Sequence, residues 1–409
     1  MVDPIISQSS AVIAELYKQC TGQSVMAPVD LSSFISIATT LQRTNKDILF
    51  NAITAMWRDT VFAVRPYRGQ LLDMEFDTNR WTNASRKISF ASKMPMDNAA
   101  YTYPAAYDAT QTPPTGDGLS VDMYKIEKDK PVETVFYGQS TYIAKRTQFW
   151  EQLETALSTP ELLASYNAAA LQALENDRES WAEQLRHGLL INLIGSLVDE
   201  SAASPELNRV HKVLTAYNAD TGLSLTKEDV YKPANLAPFA RWLHAYITHI
   251  AARMRKNTTL YTTQLSQLTQ QGLCVLRHTP AERLRVKITD KLLTQMRACV
   301  LSATYNQDLL SLDGAEGVVW WQAPELEDSV RVAPVYTNAD GEQTQGTPRI
   351  VDNIIGVMYD ADALGCAVVS ESMYTTPFNI SGEYVNTEWK QRYKTRFDMT
   401  EKAVVLLLE

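Results

Sequence analysis

The sequence predicts a mixed α+β protein, and three observations predict it. A single amphipathic pattern runs from Pro160 to about residue 200, long enough for one helix of roughly 60 Å. Two strand-like segments, Arg86-Lys87-Ile88-Ser89-Phe90 and Val132-Glu133-Thr134-Val135-Phe136-Tyr137, bracket an excursion of about forty residues with no helical period. The end of the chain, Ala403-Val404-Val405-Leu406-Leu407-Leu408, is apolar without alternation, as in a strand buried on both faces.

The elements follow in order. Ile13, Leu16 and Tyr17 form a short helical stripe. Asp30 is the expected N-cap for Leu31–Leu41, and Thr44-x-x-Asp47 is a capping-box variant before Ile48–Trp57. Three short helices with one apolar face each make a poor core by themselves, so they are expected to pack elsewhere, as an arm would. Val61–Val64 and Leu71–Phe76 read as extended. The excursion after Phe90 holds Pro95, Pro104, Pro113, Pro114, Gly116 and Gly118. Ordering each residue costs about 1–2 kcal/mol of backbone entropy, and this polar stretch cannot supply that from its own contacts. Long loops without secondary structure are functional or disordered, so this one either stays mobile or lies on something outside its own domain.

Ser158-Thr159-Pro160-Glu161 is a helix start with a capping box and a proline in the first turn. Leu163, Tyr166, Ala170, Leu174, Trp181, Leu185, Leu189 and Leu193 make the apolar stripe, and Glu175, Arg178, Glu179, Glu183 and Arg186 a solvated or interface face. Gly188 and Gly195 allow a bend. Ser204-Pro205-Glu206 restarts a helix, Thr226-x-x-Asp229 opens a short one, and Phe239–Lys256 is helical. Strands are expected at Leu273–Leu276, Arg283–Ile288, Val318–Trp321 and Ile354–Tyr359, a helix at Asp290–Val300, and a hairpin or loop over 337–349.

The chain has 409 residues, 45% hydrophobic and 21% charged, an ordinary globular composition with room for two or three domains. A net charge of −9 argues against a protein built mainly to grip nucleic acid. No basic-then-apolar leader opens the chain, and no run approaches the eighteen apolar residues of a membrane span. The four scattered cysteines, Cys20, Cys274, Cys299 and Cys366, fit free thiols in a reducing compartment.

Catalytic motifs are absent: the sequence has no HExxH, GxSxG, GxxxxGK[ST] or GxGxxG. His244 and His249 are five apart and do not share a helix face. Cys274 near His278 reads as a buried thiol rather than a nucleophile and base. No cofactor is implied. Two rows are sharper. Arg283, Arg285 and Lys287 alternate with Leu284, Val286 and Ile288; Lys390, Arg392, Lys394 and Arg396 alternate with Gln391, Tyr393, Thr395 and Phe397. On strands, each row lines one face. The plain reading is two solvated faces; the functional reading is pairing across subunits or contact with a polyanion.

The chain resembles the HK97-like major capsid proteins of tailed bacteriophages, most of all those of small podoviruses. The order of helical arm, strand-edged loop and long helix carries the likeness. So do Glu316-Gly317-Val318-Val319-Trp320-Trp321-Gln322 with Pro334-Val335-Tyr336, and Tyr374-Thr375-Thr376-Pro377-Phe378-Asn379 with Gly382-Glu383-Tyr384-Val385-Asn386-Thr387-Glu388-Trp389. The resemblance implies an N-terminal arm over 1–60, an extended loop over 80–146 that crosses a neighbouring subunit, and an axial domain over 206–362. It implies a peripheral domain over 61–79, 147–205 and 363–409, with the spine helix and C-terminal strands. It further implies self-assembly into hexamers and pentamers, a separate scaffold protein, a portal and head accessory proteins, and packaged double-stranded DNA held without sequence specificity. A virion location, synthesis in the bacterial host cytoplasm and no membrane partner go with it. Arg86, Lys87 and Lys93 in the loop join the two basic rows as candidates for facing a neighbour or the genome. Some members join a loop lysine to a neighbour's asparagine; Lys87 and Lys93, and Asn353, Asn379 and Asn386, are the residues here, and no motif singles out a pair. The remaining alternatives are an encapsulin-like compartment shell and an enzyme with residues 91–130 as its lid.

Overall fold

A computed structural model describes residues 4–28, 31–43, 46–59, 67–77, 84–93, 124, 130–137, 140–303, 315–325 and 327–409. Three helices open the chain: α1 (Pro4–Thr21), α2 (Leu31–Arg43) and α3 (Lys46–Asp59). A 3-10 turn over Leu72–Met74 precedes β1 (Ala84–Lys93), β2 (Lys130–Tyr137) and β3 (Ser140–Phe149). α4 (Trp150–Ala156) leads into α5 (Pro160–Ala203). Then come β4 (Val210–Lys212), α6 (Val213–Thr221), α7 (Lys227–Val230), α8 (Pro233–Met254), α9 (Ser266–Thr269), β5 (Leu273–Cys274), β6 (Leu284–Thr289) and α10 (Asp290–Ala303). The rest is strand: β7 (Ala315–Val318), β8 (Val330–Val332), β9 (Val335–Thr337), β10 (Gln343–Gln345), β11 (Arg349–Val351), β12 (Ile354–Asp360), β13 (Leu364–Thr375), β14 (Tyr384–Phe397) and β15 (Ala403–Leu407). The mixed α+β expectation holds.

The chain divides into two compact units. The first comprises 1–83, 138–188 and 365–395; the second comprises 84–137, 189–364 and 396–409. In the first, α1, α2 and α3 share a core with later parts of the same unit. Ile13, Leu16, Phe34, Leu41, Leu49, Phe50 and Ile53 bury one another together with Trp150, Leu153, Leu157, Leu163 and Val385. The three helices do not form a core alone: α4 and the start of α5 supply the missing face. Asp30, Thr44 and Val61–Val64 lie outside the described residues. Leu71–Phe76 is not a strand. Leu71 adopts φ 62°, the 3-10 turn follows, and Glu75 alone bridges to Cys366. A side chain at Gly365 would meet the Phe76 ring at 2.7 Å, so glycine is what lets this segment lie close.

α5 is one 44-residue helix, about 66 Å long. Its cap is Thr159, whose Oγ1 accepts from the Leu162 N–H at 3.3 Å, with Pro160 in the first turn. Ser158 instead donates to the Thr155 carbonyl at 2.7 Å. The face read as solvated or interface is partly covered by the chain itself. Asn176, Glu179 and Glu183 accept from the backbone N–H groups of Tyr67, Gly69 and Gln70, and Arg186 is fully buried. The sheet of this unit has the order β13-β14-β3.

The second unit is built on a five-stranded sheet of order β4-β15-β12-β6-β7. β15 lies inside it, antiparallel to β12 and parallel to β4, with all five residues buried, as its unbroken apolar sequence predicts. It belongs to this sheet and not with β13, β14 and β3. α6, α8 and α10 close one core, with Tyr217, Phe239, Leu243, Ile247, Leu292 and Met296 against Ile288, Met358, Val404 and Leu406. Thr226 and Asp229 form the predicted capping box of α7. Pro205–Leu207 makes only a 3-10 turn. β9 and β10 pair as the hairpin expected within 337–349. Among the described residues, no helix is long and apolar enough to cross a membrane.

Candidate functional site

The excursion leaves through β1 and returns through β2, an antiparallel ribbon to which the short β5 adds at the far end of β1. Ala84 stands opposite Tyr137, Arg86 opposite Val135, Ile88 opposite Glu133 and Ala91 opposite Lys130. Residues 94–123 and 125–129, the body of the excursion, lie outside the described residues. The ribbon follows from the two sequence runs: side chains alternate, so each strand sends every second residue to one face.

The two faces differ. Lys87, Ser89, Ala91, Val132, Thr134 and Phe136 turn inward. The Lys87 ammonium donates to Asp398 at 2.5 Å and also to Glu401. Arg277 donates to the Ser89 hydroxyl at 2.8 Å and pairs with Glu401 at 3.4 Å. Ala91 packs with Leu268 and Val275, and Val132, Leu265 and Leu273 close around them. The base of the loop is therefore held by its own unit; the polar stretch expected to need contacts outside its own domain falls outside the described residues. Asp398 is almost wholly buried. Burial alone pushes its carboxyl up, but the Lys87 charge and the hydrogen bonds from Lys87 and Thr400 outweigh it and hold it below the usual carboxylate range.

The outer face is bare. Ile88, Phe90, Val135 and Tyr137 are 61%, 64%, 50% and 80% exposed. Arg86 and Glu133 pair diagonally among them; each favours the other's charged form, raising the arginine and lowering the carboxyl. An apolar ribbon face centred on one ion pair is the composition of a contact surface.

The other sequence candidates do not gather into one basic face. Lys93 ends β1, its backbone opposite Leu273. Arg283 lies in the 3-10 turn before β6 and pairs with Asp362 and, at 3.6 Å, Asp360. Arg285 donates to the Glu282 carbonyl at 2.7 Å. Lys287 is 1% exposed and paired with Glu316, its register partner on β7. β6 is an interior strand packed on both faces, so the basic row there is not a surface. On β14, the odd residues Val385, Thr387, Trp389 and Gln391 are inward, and the phase then changes so that Lys394 is buried. Lys390 pairs with Glu388 at 3.3 Å and sits over the Tyr374 ring. Arg392 is exposed. Arg396 pairs with Asp362 at 3.1 Å and donates to the Ala361 carbonyl, and burial pushes its pKa down. Arg283, Lys287, Lys390 and Arg396 are thus paired with carboxylates within the chain.

The asparagines are engaged locally: Asn353 with Lys227, Asn379 with the Ser381 and Gly382 N–H groups, and Asn386 with Thr147. Cys20, Cys274 and Cys366 are free thiols. Burial raises Cys20 and Cys366 to about 11, away from reactive thiolates. Among the described residues, no group of three or more His, Cys, Asp or Glu could hold a metal ion. The sequence reading missed Arg277, Asp398 and Glu401. The signal was the charged turn Asp398-Met399-Thr400-Glu401-Lys402 set against an apolar strand, but nothing local names a partner three hundred residues away.

No protein-family model matches the chain, and no curated protein matches it. Solved structures do. The capsid structure of Staphylococcus phage Andhra matches with a TM-score of 0.50 at 9% identity over 86% of this chain and 87% of that chain. The structure of head fiber and inner core protein gp22 of native bacteriophage P68 matches with a TM-score of 0.51 at 10% identity over 86% and 87%. At such identity the likeness is one of fold, and the fold is the HK97-like fold of phage capsids.

Proposed function

We propose that this chain is the major capsid protein of a tailed bacteriophage, a structural subunit rather than an enzyme, which assembles with its own copies into a closed shell. The observation that carries the proposal is the ribbon of β1 and β2. Its inner face is fastened to its own unit and its outer face offers Ile88, Phe90, Val135 and Tyr137 to solvent. Covering such side chains is worth about 1.5–3 kcal/mol each when complete, and a shell repeats the contact in every copy. The occupant of the outer face is a neighbouring copy.

Finer parts of the reading rest on the fold. Hexamers and pentamers form an icosahedral head around double-stranded DNA, with a scaffold protein, a portal and accessory head proteins as further partners. The protein is made in the bacterial host and resides in the virion. The net charge of −9, the internal pairing of Lys287 and Arg396 and the burial of Lys394 support a wall that holds DNA loosely, without sequence reading. The test is to express the full chain with and without a scaffold protein, then follow sedimentation and negative-stain images. Closed shells are expected. A chain that stays monomeric under both conditions overturns the proposal.

A further inference from the structure

Residues 230–281 carry six Lys or Arg and no Asp or Glu, in a chain of net charge −9. Lys232 pairs with Asp229, and Arg277 with Glu401. The other four, Arg241, Arg253, Arg255 and Lys256, lie on α8 and the turn that ends it. All four are exposed, and among the described residues none has a carboxylate partner.

Helical spacing gathers them on one side. Arg241, Ala245, Thr248, Ala252 and Arg255 recur every three or four residues as one exposed stripe, and His249, Arg253 and Lys256 form the next. The opposite side, with Phe239, Leu243, Ile247 and Ile250, is in the core of the second unit. The cations are not spent on capping the helix. The Arg255 backbone N–H bonds the Ala251 carbonyl at 3.1 Å, and the Lys402 ammonium meets the Lys256 carbonyl at 2.7 Å. The carboxylate hydrogen-bonded to α8 is Asp220, which accepts from Trp242 in the first half of the helix.

Composition selects the partner. No large hydrophobic side chain of α8 is exposed. A protein contact has an apolar, often aromatic centre, and a helix lying on a lipid surface inserts apolar groups; this face offers neither. Surfaces that hold DNA are polar and strongly positive. Arg241 and Arg255 stand about 21 Å apart along the axis, too far for one phosphate ion and well placed for a chain of phosphates. The short side chains of Ala245, Thr248 and Ala252 between them let a backbone come close.

We propose that the exposed face of α8 holds the phosphate backbone of double-stranded DNA, without reading its sequence. The binding stands on the second unit alone; that the DNA is an enclosed genome rests on the shell reading. The loose hold of an acidic wall is thereby placed on one helix.

The test is fluorescence anisotropy of labelled 30-base-pair duplexes with the full chain before assembly, between 50 and 200 mM salt. Two duplexes of unrelated sequence are expected to bind alike. The variant Arg241→Gln with Arg255→Gln and Lys256→Gln is expected to bind at least tenfold more weakly at 50 mM salt. Its slope of log K against log salt should be shallower by about 2.7, at 0.9 per phosphate contact. Arg68→Gln with Arg331→Gln, exposed cations elsewhere, should cost less than threefold. No binding at 50 mM salt, unchanged binding by the α8 variant, or an equal loss in the control would each overturn the proposal. So would tighter binding of a polyglutamate of matched charge, which gives the face to an acidic protein. Closed shells from a chain that binds no duplex would overturn this proposal and leave the shell reading standing; a monomer that binds duplex through α8 would do the reverse.

Discussion

The Lys87 ammonium on β1 lies 2.5 Å from the Asp398 carboxylate, a partner 311 positions further along the chain. The pair ties the base of the hairpin to the turn before β15, the buried strand that ends the sheet. Asp398 is held below its ordinary range, so its sign is fixed. Its stabilising contribution is complete above the unfolded carboxyl value near 4 and is lost as pH falls through the lower folded value. Lys87→Met leaves Asp398 and Glu401 buried beside fewer positive charges. A loss of about 3 kcal/mol is expected at neutral pH, the lower end for breaking a buried pair. Denaturant unfolding between pH 3 and 7 checks it: the acid-side decline seen in the parent chain should shrink in the variant.

A second acid limb comes from His211. Burial, and then the Arg253 charge, lower its pKa to about 4, and its Nδ1 lies 2.9 Å from the Tyr246 hydroxyl. The neutral ring is the folded form. Stability from this group is complete above about 6.5 and declines as pH falls toward 4. His211→Gln should flatten stability across that window and leave the limb below it, which belongs to Asp398. Thermal midpoints at half-unit pH steps separate the two.

The bare ribbon face predicts a split between folding and assembly. Ile88→Ser with Phe90→Ser removes exposed apolar groups only, so unfolding of the unassembled chain should change by less than about 0.5 kcal/mol per site. Shell yield, read by sedimentation, should fall at least tenfold. A parallel loss of chain stability would place these side chains in the chain's own core.

Deleting residues 95–128 leaves the Lys87 and Ser89 anchors and the β1–β2 pairing in place. The shortened chain should remain folded by circular dichroism and calorimetry and fail to close shells. Unfolding on deletion would show that the excursion packs on its own unit.

The sequence revealed the long elements and hid the long-range ones. α5, the hairpin strands, α7 with its capping box, and β15 were legible because each carries a period, a cap or an unbroken apolar run of its own. Leu71–Phe76 misled because alternation cannot show that Leu71 turns to φ 62°. Lys287 and Lys394 looked like members of basic surface rows because period 2 assigns residues to faces but not faces to solvent. A strand between two others, or one whose phase shifts at Arg392, breaks that step. The anchor of the loop was illegible for another reason. Lys87, Arg277, Asp398 and Glu401 lie in distant parts of the chain, and only the fold brings them together.

The central claim is that the outer face of the β1–β2 ribbon is a contact between copies. A single-particle map of the assembled particle tests it most directly. The account predicts a second copy in van der Waals contact with Ile88, Phe90, Val135 and Tyr137. A closed shell in which those four side chains still face solvent would contradict it.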